Sequence, residues 1–71
     1  MKNLLLVKFG NTIREARLTL RLSQEELADR AGVHRTYIGM IERAEKNITL
    51  LNVVKIAKAL NLTFVELFKE L

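Results

Sequence analysis

Apolar residues recur along this chain at intervals of three and four rather than two, the spacing that gathers them on one face of a helix. Phe9, Ile13, Ala16 and Leu20 share a face of a first helix expected over about residues 8–21. Ser23 then precedes Gln24, Glu25 and Glu26, an N-cap with a glutamate at the third helical position, so each side chain can bond the other's backbone amide. This opens a second helix that runs to Ala31. A third is expected over residues 35–43. Asn47 and Thr49 mark a turn and a further N-cap, after which the spacing of Leu50, Val53, Ile56, Ala57 and Leu60 gives a fourth helix. Thr63, with Glu66 three residues on, opens a fifth, carrying Phe64, Leu67, Phe68 and Leu71 inward. No proline and only 3 glycines leave few breaks. The fold class expected is all-α, a compact five-helix bundle forming one domain over residues 1–71, without linker or repeat.

The middle of the chain is more specific. Leu27 and Ala28 place an apolar and a small side chain on the inner face of the second helix, and Val33, Ile38 and Ile41 face them from the third. Gly32 lies between. It reaches positive φ without a Cβ penalty, so the chain can reverse within three or four residues. A side chain larger than Ala28 would hold the two helices apart. Residues 24–43 therefore read as a helix-turn-helix, whose second helix turns Arg35, Thr36, Tyr37 and Met40 outward. That mixture of donors and apolar surface suits the edges of base pairs in a major groove.

Charge supports a polyanionic partner. Lys and Arg number 12 against 8 Asp and Glu, a net +4, and the excess gathers at Arg14, Arg17, Arg21, Arg35, Arg43 and Lys46, in or beside the motif. Cysteine is absent, so disulfides, thiolate nucleophiles and Cys-based zinc sites are excluded, which suits a reducing cytoplasm. The apolar run at residues 4–7 is too short for a signal-peptide core or a membrane span, so no membrane association and a cytoplasmic location are expected. No cofactor or small-molecule ligand is expected either.

Within the motif, Arg35 is the strongest base-reading candidate, since its planar fork can donate twice to guanine O6 and N7. Thr36 can set its methyl against thymine or its hydroxyl on a base edge, and Tyr37 can read a base or bond a phosphate. Arg43 is a further DNA-binding candidate, and Lys46, Asn47 and Thr49 are candidates for the flanking backbone, although Asn47 and Thr49 also suffice as turn and cap without any ligand. His34, the only histidine, stands at the expected cap of the third helix, near phosphate; alone it makes no metal site. Asp29 and Glu42 have the chemistry for acid–base work, but no nucleophile or oxyanion donor converges on them, so no enzyme is expected.

The last two helices hold more apolar residues than one face needs. Leu51, Val54, Leu62 and Val65 are left over, with Leu71 at the margin, and an exposed patch of that kind marks an interface. A two-fold homodimer through it sets two recognition helices about one DNA turn apart, roughly 34 Å, and selects an inverted repeat. A small core that absorbs these residues is the alternative.

RLSQEELADRAGV, Arg21 to Val33, and YIGMIER, Tyr37 to Arg43, resemble Cro/C1-type helix-turn-helix proteins of the phage-repressor superfamily. HRTYIGMIER followed by KNITL, Lys46 to Leu50, is similar to the controller proteins of restriction–modification systems, and the likeness covers nearly the whole chain. It implies a lambda-repressor-like DNA-binding domain on double-stranded DNA that activates or represses restriction–modification genes, its own and the endonuclease gene included. It further implies that Gln24 touches the DNA backbone and that Arg17 and Glu42 form a structural ion pair. Glu25 and Asp29 match positions that activating repressors present to the polymerase sigma subunit, with a solvated acidic face as the alternative. Ala44 departs from the pattern, because relatives often carry glycine just after the third helix. A phage-type repressor, an antitoxin-like regulator and a protein-binding adaptor that uses the fold as scaffold are the rival readings.

Overall fold

The computed structural model describes residues 3–69 and 71, which form five helices: α1 (Leu4–Thr19), α2 (Gln24–Ala31), α3 (Arg35–Glu42), α4 (Leu50–Ala59) and α5 (Phe64–Phe68). Every helix starts on a side-chain cap. Ser23 and Thr63 form complete capping boxes with Glu26 and Glu66, and Thr49 Oγ1 accepts from the Asn52 amide. Both box carboxyls are held below their ordinary range, chiefly by the backbone amide of the capping residue. Each therefore caps as the anion, fully above the ordinary value of 4.5, and the contribution fades as pH falls through the lower folded value.

α1 begins four residues earlier than its apolar period predicts. Asn3 Oδ1 accepts from the amides of Leu5 and Leu6 and draws residues 4–7 into the helix. A run of four apolar residues has no polar face, so periodicity could not mark this start.

Four helices share one ending. Leu22 N–H bonds Arg17 C=O, Val33 bonds Ala28, Glu45 bonds Met40 and Leu62 bonds Ala57, each closing a six-residue loop around a left-handed residue. Those residues are Arg21 (φ 58°), Gly32 (71°), Ala44 (60°) and Asn61 (58°). Only one is glycine. The departure at Ala44 thus leaves the backbone geometry of a glycine cap in place and costs conformational energy instead, roughly 1–2 kcal/mol for an L-residue. Glycine's greater freedom in the unfolded chain offsets part of the relief. Ala44→Gly is accordingly expected to raise stability by about 0.5–1 kcal/mol in urea melts; an unchanged or lower value would mean the strain at Ala44 is already relaxed.

The core is built from every helix. Phe9, Ile13, Leu27, Ile38, Ile41, Val53, Ile56, Leu60 and Leu67 are buried, and Ala28, Ala31 and Ala57 fill the close approaches. α2 packs on α3 and α4, while α1 packs on α3 and α5. Gly10 sets the α1–α3 contact: a Cβ there would run into the Ile41 carbonyl oxygen and lie 3.0 Å from that of Glu42.

Four residues expected to face inward fall outside it. Leu20, Phe64 and Phe68 are 39%, 44% and 39% exposed. α1 ends at Thr19, so Leu20 leaves the helical register. α5 is a single short turn whose Leu67 alone reaches the interior, and Phe68 instead stacks on the edge of the core at Phe9, with centroids 5.5 Å apart. Leu71, also expected inward, is 39% exposed.

Candidate nucleic-acid interface

α2 and α3 meet through Gly32, and the cap of α3 is His34, whose Nδ1 accepts from the Thr36 amide at 3.0 Å. The cap leaves Arg35 and Thr36 exposed at the start of the helix. Together with Gln24, Gly39 and Arg43 they line a shallow notch between the first turn of α2 and the outer face of α3. Four of the sequence candidates are thus brought to one surface.

Arg35 is not idle there. Its Nη1 lies 3.3 Å from Glu25 Oε2, with both side chains 67% exposed. An ion pair so open to water contributes little, so it can be exchanged for a base or phosphate at small cost. It also engages one of the two carboxylates the resemblance gave to polymerase; Asp29 is exposed near His34. Arg43 Nε donates to Glu45 Oε1 at 3.1 Å.

Tyr37 and Met40, read from the sequence as outward, are half-buried. Tyr37 packs against the core, and its hydroxyl accepts from Asn52 Nδ2 of α4 at 3.0 Å. That bond ties the first turn of α3 to α4 and draws the Tyr37 ring inward. Lys46 and Asn47 are exposed in the α3–α4 connection, while Thr49 is committed to its cap.

A polar node holds α3 in place. Arg17 Nε and Nη2 donate to the two oxygens of Glu42 at 2.7 and 2.9 Å, and Nη1 donates to the Leu22 carbonyl at 2.9 Å. The side chains are 10% and 4% exposed. The bond to Glu42, more than its charge, lifts the Arg17 pKa above its ordinary value against the opposing effect of burial, so the guanidinium is a permanent cation. Gln24 Nε2 donates to Glu42 Oε1 at 3.1 Å, which the resemblance did not suggest. One amide hydrogen of Gln24 is therefore taken by the protein itself. Asn52, Gly10 and Gly39 were also passed over by sequence reasoning. Isolated glycines inside helical runs were the available signal for the last two, since such glycines commonly answer a close approach.

Of the apolar residues expected at an interface, Leu51 and Val65 are 75% and 79% exposed, and Leu71 is exposed too. Val54 and Leu62 are half-buried and line a smaller groove with Ala57, Lys58 and Phe64. Full exposure is thus confined to Leu51, Val65 and Leu71, fewer residues than a helical count suggests.

The helix-turn-helix family matches residues 13–67 of this chain. Control protein C.SmaI of Serratia marcescens is 50% identical over 52 residues, 73% of this chain, which spans 62% of that protein's length. The solved restriction–modification controller protein C.AhdI from Aeromonas hydrophila superposes with a TM-score of 0.86 at 48% identity, covering 89% of this chain and 96% of that one. The chain belongs to the controller-protein family. Its relatives are control proteins rather than enzymes, in keeping with the sequence reading. A further controller, C.Esp1396I, solved as a tetramer in complex with its natural 35 base-pair operator, superposes with a TM-score of 0.90 at 35% identity over 97% of this chain and 91% of that one. Among the described residues no helix is long and apolar enough to cross a membrane.

Proposed function

We propose that this controller-family chain is a homodimeric, sequence-specific regulator that binds an inverted-repeat operator and controls restriction–modification genes, its own and the endonuclease gene included. The notch that joins Gln24, Arg35, Thr36 and Arg43 carries the reading, because it gathers side chains suited to bases and to phosphate on one surface. Eight residues of α3 extend about 12 Å, enough for one half-site and no more. Two copies are needed, and the exposed Leu51 and Val65 on α4 and α5 support their joining. The likeness to a controller solved on its operator supports DNA as the partner. His34, Lys46, Asn47 and Thr49 lie toward the flanking backbone in this reading. Tyr37, half-buried and bonded to Asn52, keeps only part of its surface for DNA in this reading. Asp29 is the carboxylate left for a polymerase sigma contact.

Selection from a random duplex library, followed by titration at two salt concentrations, tests the proposal. An inverted repeat with log K falling by about 0.9 per neutralised phosphate for each decade of salt is expected. A binder with no enriched sequence, or with no salt response, would reject it. On the recovered operator, Arg35→Ala should cost about 1–3 kcal/mol of discrimination at one or two base positions while non-specific affinity holds. An equal loss on every sequence would make Arg35 a phosphate contact instead.

A further inference from the structure

Gly39 stands inside the eight-residue α3, where glycine is less favourable than alanine, so its presence calls for a reason elsewhere in the structure. Its φ does not supply one, because the only glycine at positive φ is Gly32. Space does. A Cβ on Gly39 would lie 3.0 Å from Arg43 Nη1, 3.7 Å from Arg43 Cζ and 3.5 Å from Gln24 Oε1. The Arg43 guanidinium, one helical turn on, folds back over the bare backbone at Gly39 and enters the notch beside Gln24, Arg35 and Thr36. Glu45 holds its Nε at the other side.

The geometry points to Gly39 as a positioning residue for DNA binding: its missing side chain seats the Arg43 guanidinium against α3, aimed at a backbone phosphate. The inference rests on the DNA-binding reading above. An arginine held in this way meets the phosphate with less conformational freedom to lose than one free in solvent. Gln24 Oε1 beside it has a matching effect, since Glu42 takes a hydrogen of that amide and so turns its oxygen toward the guanidinium side. A methyl at position 39 has as its nearest neighbours the ends of two flexible side chains. It therefore displaces Arg43 without opening the core.

That separation of binding from stability is what an experiment can read. Wild type, Gly39→Ala, Arg43→Ala and the double variant would be melted, then titrated against a mixed-sequence DNA duplex at two salt concentrations. Gly39→Ala should melt at or above the wild-type temperature. Both single variants should bind more weakly, with a log K against log salt slope shallower by about 0.9, the share of one phosphate. The double variant should bind no more weakly than Arg43→Ala alone. Wild-type affinity and slope in Gly39→Ala, or losses that add in the double variant, would overturn the proposal. A melting temperature lowered by Gly39→Ala and restored by adding Arg43→Ala would still place the contact at Arg43; one lowered in both backgrounds would overturn it. Absence of salt-dependent binding by the wild type would instead remove the regulator reading and the seat with it.

Discussion

Glu42→Ala is expected to destabilise the protein by about 3 kcal/mol, the lower end of the range for breaking a buried ion pair. The lower end applies because Arg17 keeps a tenth of its side-chain surface in water. Without Glu42 the guanidinium retains only the Leu22 carbonyl, and Gln24 loses its acceptor as well. Deprotonation offers no escape, since an arginine cannot shed its charge in a protein. A domain of this size is stabilised by only about 4–10 kcal/mol at 0.05–0.15 kcal/mol per residue, so a loss of that order removes a large part of the total. Urea melts of Glu42→Ala, and of a paired Arg17→Met with Glu42→Leu, check the cause as well as the size. The paired variant should recover most of the loss, because apolar replacements of similar volume require no buried charge. If Glu42→Ala costs under about 1 kcal/mol, Arg17 simply turns to solvent and the node does not hold α3. Glu42→Ala is also expected to weaken DNA binding by loosening α3, so a loss of binding alone does not make Glu42 a DNA contact.

Gly10→Ala should act on the same helix from the other side. Inside a helix this substitution ordinarily stabilises by about 0.5–1 kcal/mol. Here the new methyl points at the carbonyl oxygens of Ile41 and Glu42, the last turn of α3, and backbone cannot rotate aside as a side chain can. α1 and α3 must separate, with Phe9, Ile13, Ile38 and Ile41 losing contact along the seam. A net destabilisation of about 2–3 kcal/mol is expected from such overpacking. For a domain of this length that corresponds to a fall of roughly 10–20 °C in Tm. A Gly10→Ala protein that melts at or above the wild-type temperature would show slack between the helices and refute the close approach. Gly10 and Gly39 both lie within helices, but one faces carbonyls and the other the end of an arginine.

Much of the frame was legible because local rules act over three or four residues. The capping boxes at Ser23 and Thr63, the cap at Thr49 and the left-handed Gly32 all stand where their residue types require, and α2 has the bounds expected of it. α3 ends at Glu42, with Arg43 as its cap rather than its last residue. Periodicity failed at residues 4–7, where no polar position breaks the run, and at Phe64 and Phe68, where a helix of five residues is too short to have a well-defined inner face. The left-handed residues Arg21 and Ala44 were not legible, since neither is glycine or asparagine; Asn61 carried the weaker asparagine signal. Their conformation follows from closing each helix against the next.

By itself, then, the sequence determined the number of helices, the N-caps of all but the first, the turn of the helix-turn-helix and the exposed Arg35 and Thr36 at the start of α3. These depend on neighbours in the chain. Tertiary structure decided the rest: that Gln24 bonds Glu42, that Tyr37 leans on Asn52, that Gly10 and Gly39 answer different neighbours, and that Phe68 lies at the margin of the core. Each depends on how closely and at what angle two helices cross. That is a property of the packed core, where a single methyl sets the separation, and no spacing along one helix encodes it.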